Sequence, residues 1–264
     1  MLIESTSLDG KHVLQFDTEK HKYWLNGEIV PGATAGGSAY PKPESLIQWM
    51  IKQGIEQYKS KTKLTQASGI GTLLHDFAEC FEKGVPFDRR KIEASPDKEA
   101  VEKAIGAFLK WKETNKDEVI MLEQIVASPT IRGAGKFDRL VKRDGKVVLG
   151  DHKTAKSIYI SALIQVAGYA MMTREWLGIH VDLLEIVKFP KEQKGTLEIV
   201  LADADGITIN GERFQVPGLI RRLETQYIRN LETWRFQHEV EGVLTGYYDK
   251  KWEAIKAGWK NRAA

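Results

Sequence analysis

Cysteine is nearly absent from this chain of 264 residues, which contains Cys80 alone. A single cysteine excludes an intramolecular disulfide framework, a four-cysteine zinc site and a four-cysteine iron–sulfur cluster. Long apolar runs are also missing, because no segment approaches the roughly 18 residues that a membrane-spanning helix needs. The first residues lack a basic stretch followed by an apolar one, so no secretory signal is visible. We therefore expect a globular protein of a reducing compartment that has no contact with a membrane.

Net charge is small, at +3 from 39 Lys and Arg against 36 Asp and Glu, but it is unevenly distributed. Residues 131–156 contain eight Lys and Arg and three Asp, a local excess of five positive charges. A basic segment with embedded carboxylates suits a polyanionic substrate and a metal. The alternative is that these lysines are solvated residues on the outer face of two strands, and charge alone favours this alternative.

Apolar periodicity predicts the order of the secondary-structure elements. Asn26-Gly27 predicts a hairpin, and helices are expected at about 45–58, 72–83 and 95–114. Three strands follow at 119–127, 135–143 and 146–153, with Asp144-Gly145 as a tight turn between the last two. A helix is expected at 158–177, then two strands, and then helices from Pro217 onward.

This order predicts an α/β or α+β fold with one core, in which helices flank a sheet. The sequence contains no internal repeat, low-complexity tract or clear domain boundary. We expect a single domain over 1–264, with an N-terminal hairpin and helix in 1–66, a core in 67–205 and C-terminal helices in 206–264.

Two aspartates and a lysine form the first candidate site. Asp151 and Lys153 are two residues apart on one predicted strand and so point to the same face, and a hairpin brings Asp138 beside Asp151. Paired carboxylates repel each other unless a cation lies between them, and oxygen ligands suit Mg²⁺ or Mn²⁺. The alternative is a surface ion pair between Asp151 and Lys153, which is the better explanation of this pattern taken alone.

Two helices carry further candidates. His75 lies in a helix entered through Gly71-Thr72 and is a candidate metal ligand, and Glu79 one turn later is a candidate to orient its ring. The alternative is an ordinary surface histidine and a solvent-facing glutamate. Gln165 and Tyr169 share a face of an otherwise apolar helix, so they either reach the cleft or lie at the edge of the core.

In this order, the motifs resemble those of the PD-(D/E)XK nuclease superfamily, in particular its RecB-like exonuclease branch. The motifs are Gly71-Thr72-x-x-His75, Gly135-x-x-Asp138, Asp151-x-Lys153-Thr154 and Gln165-x-x-x-Tyr169, which span about residues 71–170. The N-terminal residues 23–50 are similar to phage recombination exonucleases and mitochondrial genome maintenance exonucleases, although Gly32-Ala33 replaces the usual Ser-Val.

The resemblance implies a restriction-endonuclease-like core and hydrolysis of DNA phosphodiester bonds with Mg²⁺ or Mn²⁺, without an iron–sulfur cluster. Asp138, Asp151, His75 and the backbone carbonyl of His152 would hold the metal, and Lys153 would position or activate water. Glu123 matches a carboxylate of some members, the alternative being an exposed strand residue. The residues expected to contact or support DNA are Gln165, Tyr169, Thr154, Arg139 and Lys136.

Three functions remain open from the sequence. We expect an exonuclease of recombination, repair or replication, and the alternatives are a non-catalytic DNA-binding relative and a restriction-like endonuclease. About seventy residues precede His75 and can roof the cleft, so that a strand end threads past Tyr40 and Trp49. The alternative is that these two aromatic residues belong to the hydrophobic core, which the pattern favours for Trp49. The expected partners are single- or double-stranded DNA ends and a recombination or single-strand-binding protein. The expected location is the cytoplasm of a bacterium or phage-infected cell, and an organellar matrix is the less favoured alternative.

Overall fold

The computed structural model describes residues 1–38, 57–192 and 195–260 of the chain. It begins with four strands, β1 (Leu2–Thr6), β2 (Val13–Asp17), β3 (Lys22–Leu25) and β4 (Glu28–Val30). They form an antiparallel sheet in the order β1-β2-β3-β4. The hairpin predicted from Asn26-Gly27 is confirmed, because both residues have positive φ (53° and 81°) between the paired strands β3 and β4. This hairpin forms one edge of the four-stranded N-terminal sheet.

Four helices follow, α1 (Ala33–Ser38), α2 (Gln57–Lys83), α3 (Arg90–Glu93) and α4 (Lys98–Thr114). The helix expected at 72–83 is the last part of α2, which ends before Gly84 as predicted. The start expected at Ser95 is wrong, because α4 begins at Lys98 and Ser95 Oγ instead accepts a hydrogen bond from the backbone N–H of Asp97 at 3.2 Å. The helix expected at 45–58 lies almost entirely outside the described residues, as do Tyr40 and Trp49.

The central sheet has seven strands in the order β11-β10-β9-β8-β7-β6-β5. They are β5 (Glu118–Ser128), β6 (Gly133–Arg143), β7 (Lys146–Lys153), β8 (Leu183–Lys188), β9 (Glu198–Ala202), β10 (Gly206–Ile209) and β11 (Glu212–Gln215). β7 and β8 are parallel and are connected through α5 (Ile160–Leu177), whereas the other neighbours are antiparallel. The expected α/β class, a mixed sheet flanked by helices, is confirmed.

Helices cover both faces of this sheet, and side chains of β8 alternate between two apolar clusters. Leu184 and Ile186 join the cluster that contains the buried residues of α5, whereas Val187 joins the cluster formed with α2 and α4. This alternation is the two-residue period of a strand that is buried on both faces. The sheet is therefore the rigid middle layer from which β6 and β7 present polar side chains.

The C-terminal segment differs from the expectation of helices throughout 206–264. It begins with the hairpin β10–β11, whose turn Asn210-Gly211 has the positive φ values (49° and 90°) that a tight two-residue turn requires. The remainder is one helix, α6 (Leu219–Lys260), rather than two. None of the described helices is both long enough and apolar enough to span a bilayer.

Candidate metal and active site

The register of β6 and β7 brings the two candidate aspartates together. Arg139 pairs with Gly150, so the next position of the ladder sets Asp138 opposite Asp151. The tight turn at Asp144-Gly145, with φ of 49° and 79°, fixes that register. Asp138 Oδ2 accepts a hydrogen bond from the backbone N–H of His152 at 2.7 Å, which holds the carboxylate between the strands.

Helix α2 and strand β5 each place one more candidate metal ligand beside Asp138. His75 Nδ1 lies 3.3 Å from Asp138 Oδ2. His75, Glu123 and Asp138 each offer a ligand atom, and these atoms all lie within 4.8 Å of one another. A neutral imidazole and two carboxylates at this spacing form a donor set suited to a divalent cation.

Glu123 reaches this group through an unusual backbone conformation. Its φ is +51°, in the left-handed region that non-glycine residues rarely adopt within a strand. Such a conformation costs on the order of 1 kcal/mol or more and is often retained at functional sites. Glu123 also forms an ion pair with Lys136, so the DNA-supporting lysine expected from the sequence lies beside a carboxylate of the cluster.

Asp151 turns toward Lys153 rather than joining the three-donor group. Its Oδ2 lies 2.6 Å from Lys153 Nζ, and the aspartate side chain is 4% exposed. Lys153 Nζ is also 3.5 Å from Gln165 Oε1. Gln165 Nε2 in turn donates to Tyr169 OH at 3.1 Å and to Thr34 Oγ1 at 3.3 Å. Gln165 of α5 therefore contacts the lysine of the site, and the buried Tyr169 supports Gln165 from the core.

Two glycines of the quoted motifs permit close packing at the site. A Cβ at Gly135 would lie 2.4 Å from Tyr169 Cε1, so only glycine lets α5 approach β6 this closely. A Cβ at Gly71 would lie 3.3 Å from Thr154 Oγ1, a tight contact between α2 and the end of β7. Glycine at these two positions therefore has a steric reason, because a side chain would crowd α5 or Thr154.

The pKa values of the carboxyl groups reflect crowding of negative charge. Burial and the charge of Asp138 raise the pKa of Glu123 to about 7. Burial also raises the pKa of Asp151, although Lys153 opposes the change. Asp138 differs, because His75 outweighs the effect of burial and holds the pKa of Asp138 well below its usual range.

His75 forms an ion pair with the Asp138 carboxylate. Burial favours the neutral ring, yet the charge of Asp138 and its hydrogen bond raise the pKa of His75 to about 9. In the metal-free protein a protonated His75 and Lys153 therefore act as counter-ions for the aspartates. A divalent cation would meet the same need, and the donor set fits such an ion.

A cavity of about 600 Å³ opens onto the cluster, and it is lined by residues from six separate parts of the chain. The expected residues on its wall are His75, Glu79, Glu123, Lys136, Asp138, His152, Lys153 and Thr154. Glu79 bonds to Lys83 at 2.5 Å rather than to the ring of His75. Sequence reasoning missed His21, Asp76 and Lys191, which also line the cavity. Asp76 is one residue from the His75 motif, but His21 and Lys191 are distant in sequence and no local signal identifies them.

The structure does not bring Arg139 to the site, which corrects the expectation that it supports DNA binding. Its side chain is 1% exposed and is enclosed by carboxylates from α2, the segment before β5, and β8. The distances are 3.2 Å to Glu82, 2.9 Å to Asp117 and 3.5 Å to Glu185. Adjacent residues of a strand face opposite ways, so the neighbour of Asp138 is directed into this ion network.

No family model and no curated protein matches the sequence. Among solved structures, the chain is similar to a crystal structure of LHK-Exo in complex with dAMP, with 11% identity, a TM-score of 0.38 and coverage of 83% of this chain and 94% of that chain. It is also similar to an alkaline exonuclease (LHK-Exo) from Laribacter hongkongensis, with 11% identity, a TM-score of 0.36 and coverage of 82% and 93%. Both likenesses are distant.

Proposed function

We propose that this chain is a Mg²⁺- or Mn²⁺-dependent deoxyribonuclease that hydrolyses phosphodiester bonds from DNA ends, as a single nuclease domain acting in recombination, repair or replication. The observation that carries the proposal is the convergence of His75, Glu123 and Asp138 within 4.8 Å, in a cavity that Lys153 also lines. These residues come from three separate elements, and a merely structural ion pair does not need all of them.

His75, Asp138 and Glu123 would hold the ion together with the backbone carbonyl of His152. Asp151 would contribute its Oδ1, because its Oδ2 is paired with Lys153. A bound divalent cation supplies charge neutralisation at the phosphoryl group and lowers the pKa of bound water. A divalent cation suits this site because three carboxyl groups lie close together, and in the protein alone the pKa values of Glu123 and Asp151 are raised. A divalent ion would stabilise their ionised forms.

Lys153 contributes a fixed positive charge at the reacting phosphate. Burial opposes its protonation, but Asp151 and Asp138 raise the pKa of Lys153 above its ordinary value. The ammonium is therefore retained at neutral pH and is held by Asp151 and Gln165. In this position it would stabilise the negative charge that develops in the transition state and would orient the attacking water.

Preference for DNA ends is supported by the N-terminal sheet, which stands beside the cavity. His21 in the turn between β2 and β3 lines the cavity, and Gly32 forms a parallel bridge with Ala134 at the start of β6. In this position the sheet would hinder lateral entry of a continuous duplex. We therefore propose an exonuclease in preference to a restriction-like endonuclease.

The test is digestion of end-labelled linear DNA and of covalently closed circles with Mg²⁺. Linear DNA is expected to shorten from an end while circles survive, and excess EDTA is expected to abolish cleavage. Asp138→Asn and Lys153→Ala are each expected to lower the rate by on the order of 10²–10⁴. Asp76→Asn is the matched control, because Asp76 lines the same cavity but is bound to Lys91 at 2.8 Å.

Activity that persists in EDTA would reject the metal assignment, and rapid cutting of circles would favour an endonuclease. A wild-type protein that binds DNA but does not cut it with Mg²⁺ or Mn²⁺ would establish the non-catalytic alternative instead.

A further inference from the structure

One lysine beside the metal donors has no ion-pair partner among the described residues. We call the cavity of about 600 Å³ at these donors the active-site cavity. Its other lysine and carboxylate side chains are each paired with an opposite charge, and the pairs are Asp76–Lys91, Glu79–Lys83, Glu123–Lys136, Asp138–His75 and Lys153–Asp151. Lys191 is half-buried on the same wall. Within the described part of the chain, it is therefore the lysine of this cavity that is free to bind an anionic group.

The loop that carries Lys191 is fixed beside β7. The backbone N–H of Phe189 donates a hydrogen bond to the carbonyl of Lys153 at 2.8 Å, which continues the parallel β7–β8 ladder by one step. On the other side of Lys191, the backbone carbonyl of Glu192 accepts a hydrogen bond from Lys103 Nζ of α4. These two hydrogen bonds hold the backbone on both sides of Lys191. The fold, rather than an ion pair, therefore keeps this side chain at the cavity.

The order of the strands places Lys191 to one side of the metal donors. Glu123, Asp138 and Lys153 lie on the neighbouring strands β5, β6 and β7, and Lys191 follows β8. Neighbouring strands are about 4.8 Å apart, so the end of β8 is about 10 Å across the sheet from β6. A DNA strand rises about 3.4 Å per nucleotide, so this interval is longer than one nucleotide. It favours contact of Lys191 with a phosphate beyond the one at the metal donors.

We propose that Lys191 binds a phosphate of the DNA strand next to the scissile phosphate, a proposal that rests on the proposed function. The strand crosses the ends of β5–β8, with the scissile phosphate at the metal donors and Lys153 and the next phosphate at Lys191. The active-site cavity is the place of the proposed cut, so the anion that reaches Lys191 is the substrate itself. An ammonium group binds a phosphate as a point charge, and the contact is therefore independent of base sequence.

The test compares Lys191→Gln with the conservative variant Lys191→Arg and with the control Lys142→Gln. Binding of end-labelled linear DNA is measured in EDTA over a series of salt concentrations, and KM and kcat are measured with Mg²⁺. The control removes the same charge at an exposed position of the β6–β7 hairpin, at the opposite end of those strands from Asp151. Melting temperatures check that all three variants fold.

Lys191→Gln is expected to raise Kd and KM about three- to tenfold and to leave kcat unchanged. The slope of log Kd against log salt should become smaller by about 0.7–0.9, the value for one phosphate contact. Lys191→Arg should retain the binding, because a guanidinium group also pairs with phosphate, and Lys142→Gln should match the wild type. A lower kcat with an unchanged KM would place Lys191 at the reacting phosphate and overturn the proposal. Equal loss in Lys142→Gln would reduce the effect to net charge and overturn it as well.

Uncharged methylphosphonate linkages locate the contact along the DNA. A set of DNA molecules carries one such linkage each, at successive positions from the end, and the binding of each molecule to the wild type and to Lys191→Gln is compared in EDTA. At the linkage next to the scissile one, the wild type should lose affinity and Lys191→Gln should lose none, so that both proteins bind equally. A difference between the two proteins that persists at every linkage would overturn the proposal.

Two further outcomes separate this proposal from the proposed function. If the wild type neither binds nor cuts DNA, the proposed function fails and this inference fails with it. If the wild type binds and cuts DNA and Lys191→Gln does the same with unchanged Kd, KM and salt slope, only the inference is overturned.

Discussion

His152 offers a test that separates its backbone from its side chain. The resemblance assigns the backbone carbonyl to the metal, whereas the ring packs among Phe108, Trp111 and Phe189 with centroid distances of 5.7, 5.6 and 5.3 Å. The ring is buried, and its Nε2 has no hydrogen-bond partner among the described residues. A phenylalanine fits this apolar environment, so we consider the substitution His152→Phe.

Burial lowers the pKa of His152 from 6.5 to about 3, because the apolar surroundings disfavour the charged ring. Below pH 6.5 the unfolded state therefore binds a proton that the folded state does not. The free energy of unfolding then falls by about 1.4 kcal/mol per pH unit, until the pH approaches the folded pKa. Between pH 7 and pH 5 this group alone removes about 2 kcal/mol of stability from the wild type.

His152→Phe is expected to lose this acid sensitivity. Urea unfolding at pH 7 and pH 5 in EDTA, followed by tryptophan fluorescence, measures the difference in free energy between variant and wild type. That difference should shift by about 2 kcal/mol in favour of the variant at pH 5, whatever constant offset the new ring introduces. His180→Phe is the control, because His180 is exposed.

Cleavage by His152→Phe should remain metal-dependent and close to wild type, since the proposed ligand is the main-chain carbonyl. An energy difference that is the same at both pH values would contradict the buried neutral ring. Loss of cleavage in a folded variant would instead give the imidazole a role in the site.

Three other substitutions test the packing and charge of the site. Gly135→Ala should destabilise the fold by about 1–3 kcal/mol, because the new Cβ would lie 2.4 Å from Tyr169. Gly106→Ala in α4 is the control, because a Cβ there would meet no other atom within 4 Å. Urea unfolding measures the stability of both variants. Arg139→Met should destabilise the fold by at most about 3 kcal/mol, because Arg143 still pairs with Asp117 and Glu185 and Lys112 with Glu82, and an unchanged melting temperature would reject a role of Arg139 in that network. Glu123→Gln should raise the melting temperature in EDTA above pH 7, since the wild-type carboxyl with its pKa of about 7 must ionise in a crowded site. Its stabilisation by added Mg²⁺ should be smaller than that of the wild type, and an equal response to Mg²⁺ would remove Glu123 from the ligand set.

Local signals in the sequence were sufficient for much of the sheet. Asp144-Gly145 defines a two-residue turn, and the period of two on either side defines which residues of β6 and β7 pair. The position of Asp138 opposite Asp151 follows from those two features alone. The hairpin β10–β11 has the same kind of signal in Asn210-Gly211, so the expectation of helices from residue 206 onward is wrong in this segment.

The roles of Glu123 and Arg139 depend on contacts that no local pattern specifies. The β5–β6 ladder places Glu123 opposite Asp138, since Leu122 pairs with Arg139 and Gln124 with Phe137. That register is set by pairing between strands that no tight two-residue turn connects, with a shift between Val119 and Met121, so the sequence alone does not specify it. Arg139 belongs to a basic segment that favours DNA contact by composition, yet its three carboxylate partners come from residues 57 before it to 46 after it in the chain. Burial without these partners would be prohibitive for a guanidinium, so the network and the orientation of β6 determine each other. Because Asp138 and Arg139 are consecutive, the ion network that fixes Arg139 on one face of β6 also fixes Asp138 on the opposite face. The metal donors therefore depend on an ion cluster that lies on the other side of the strand.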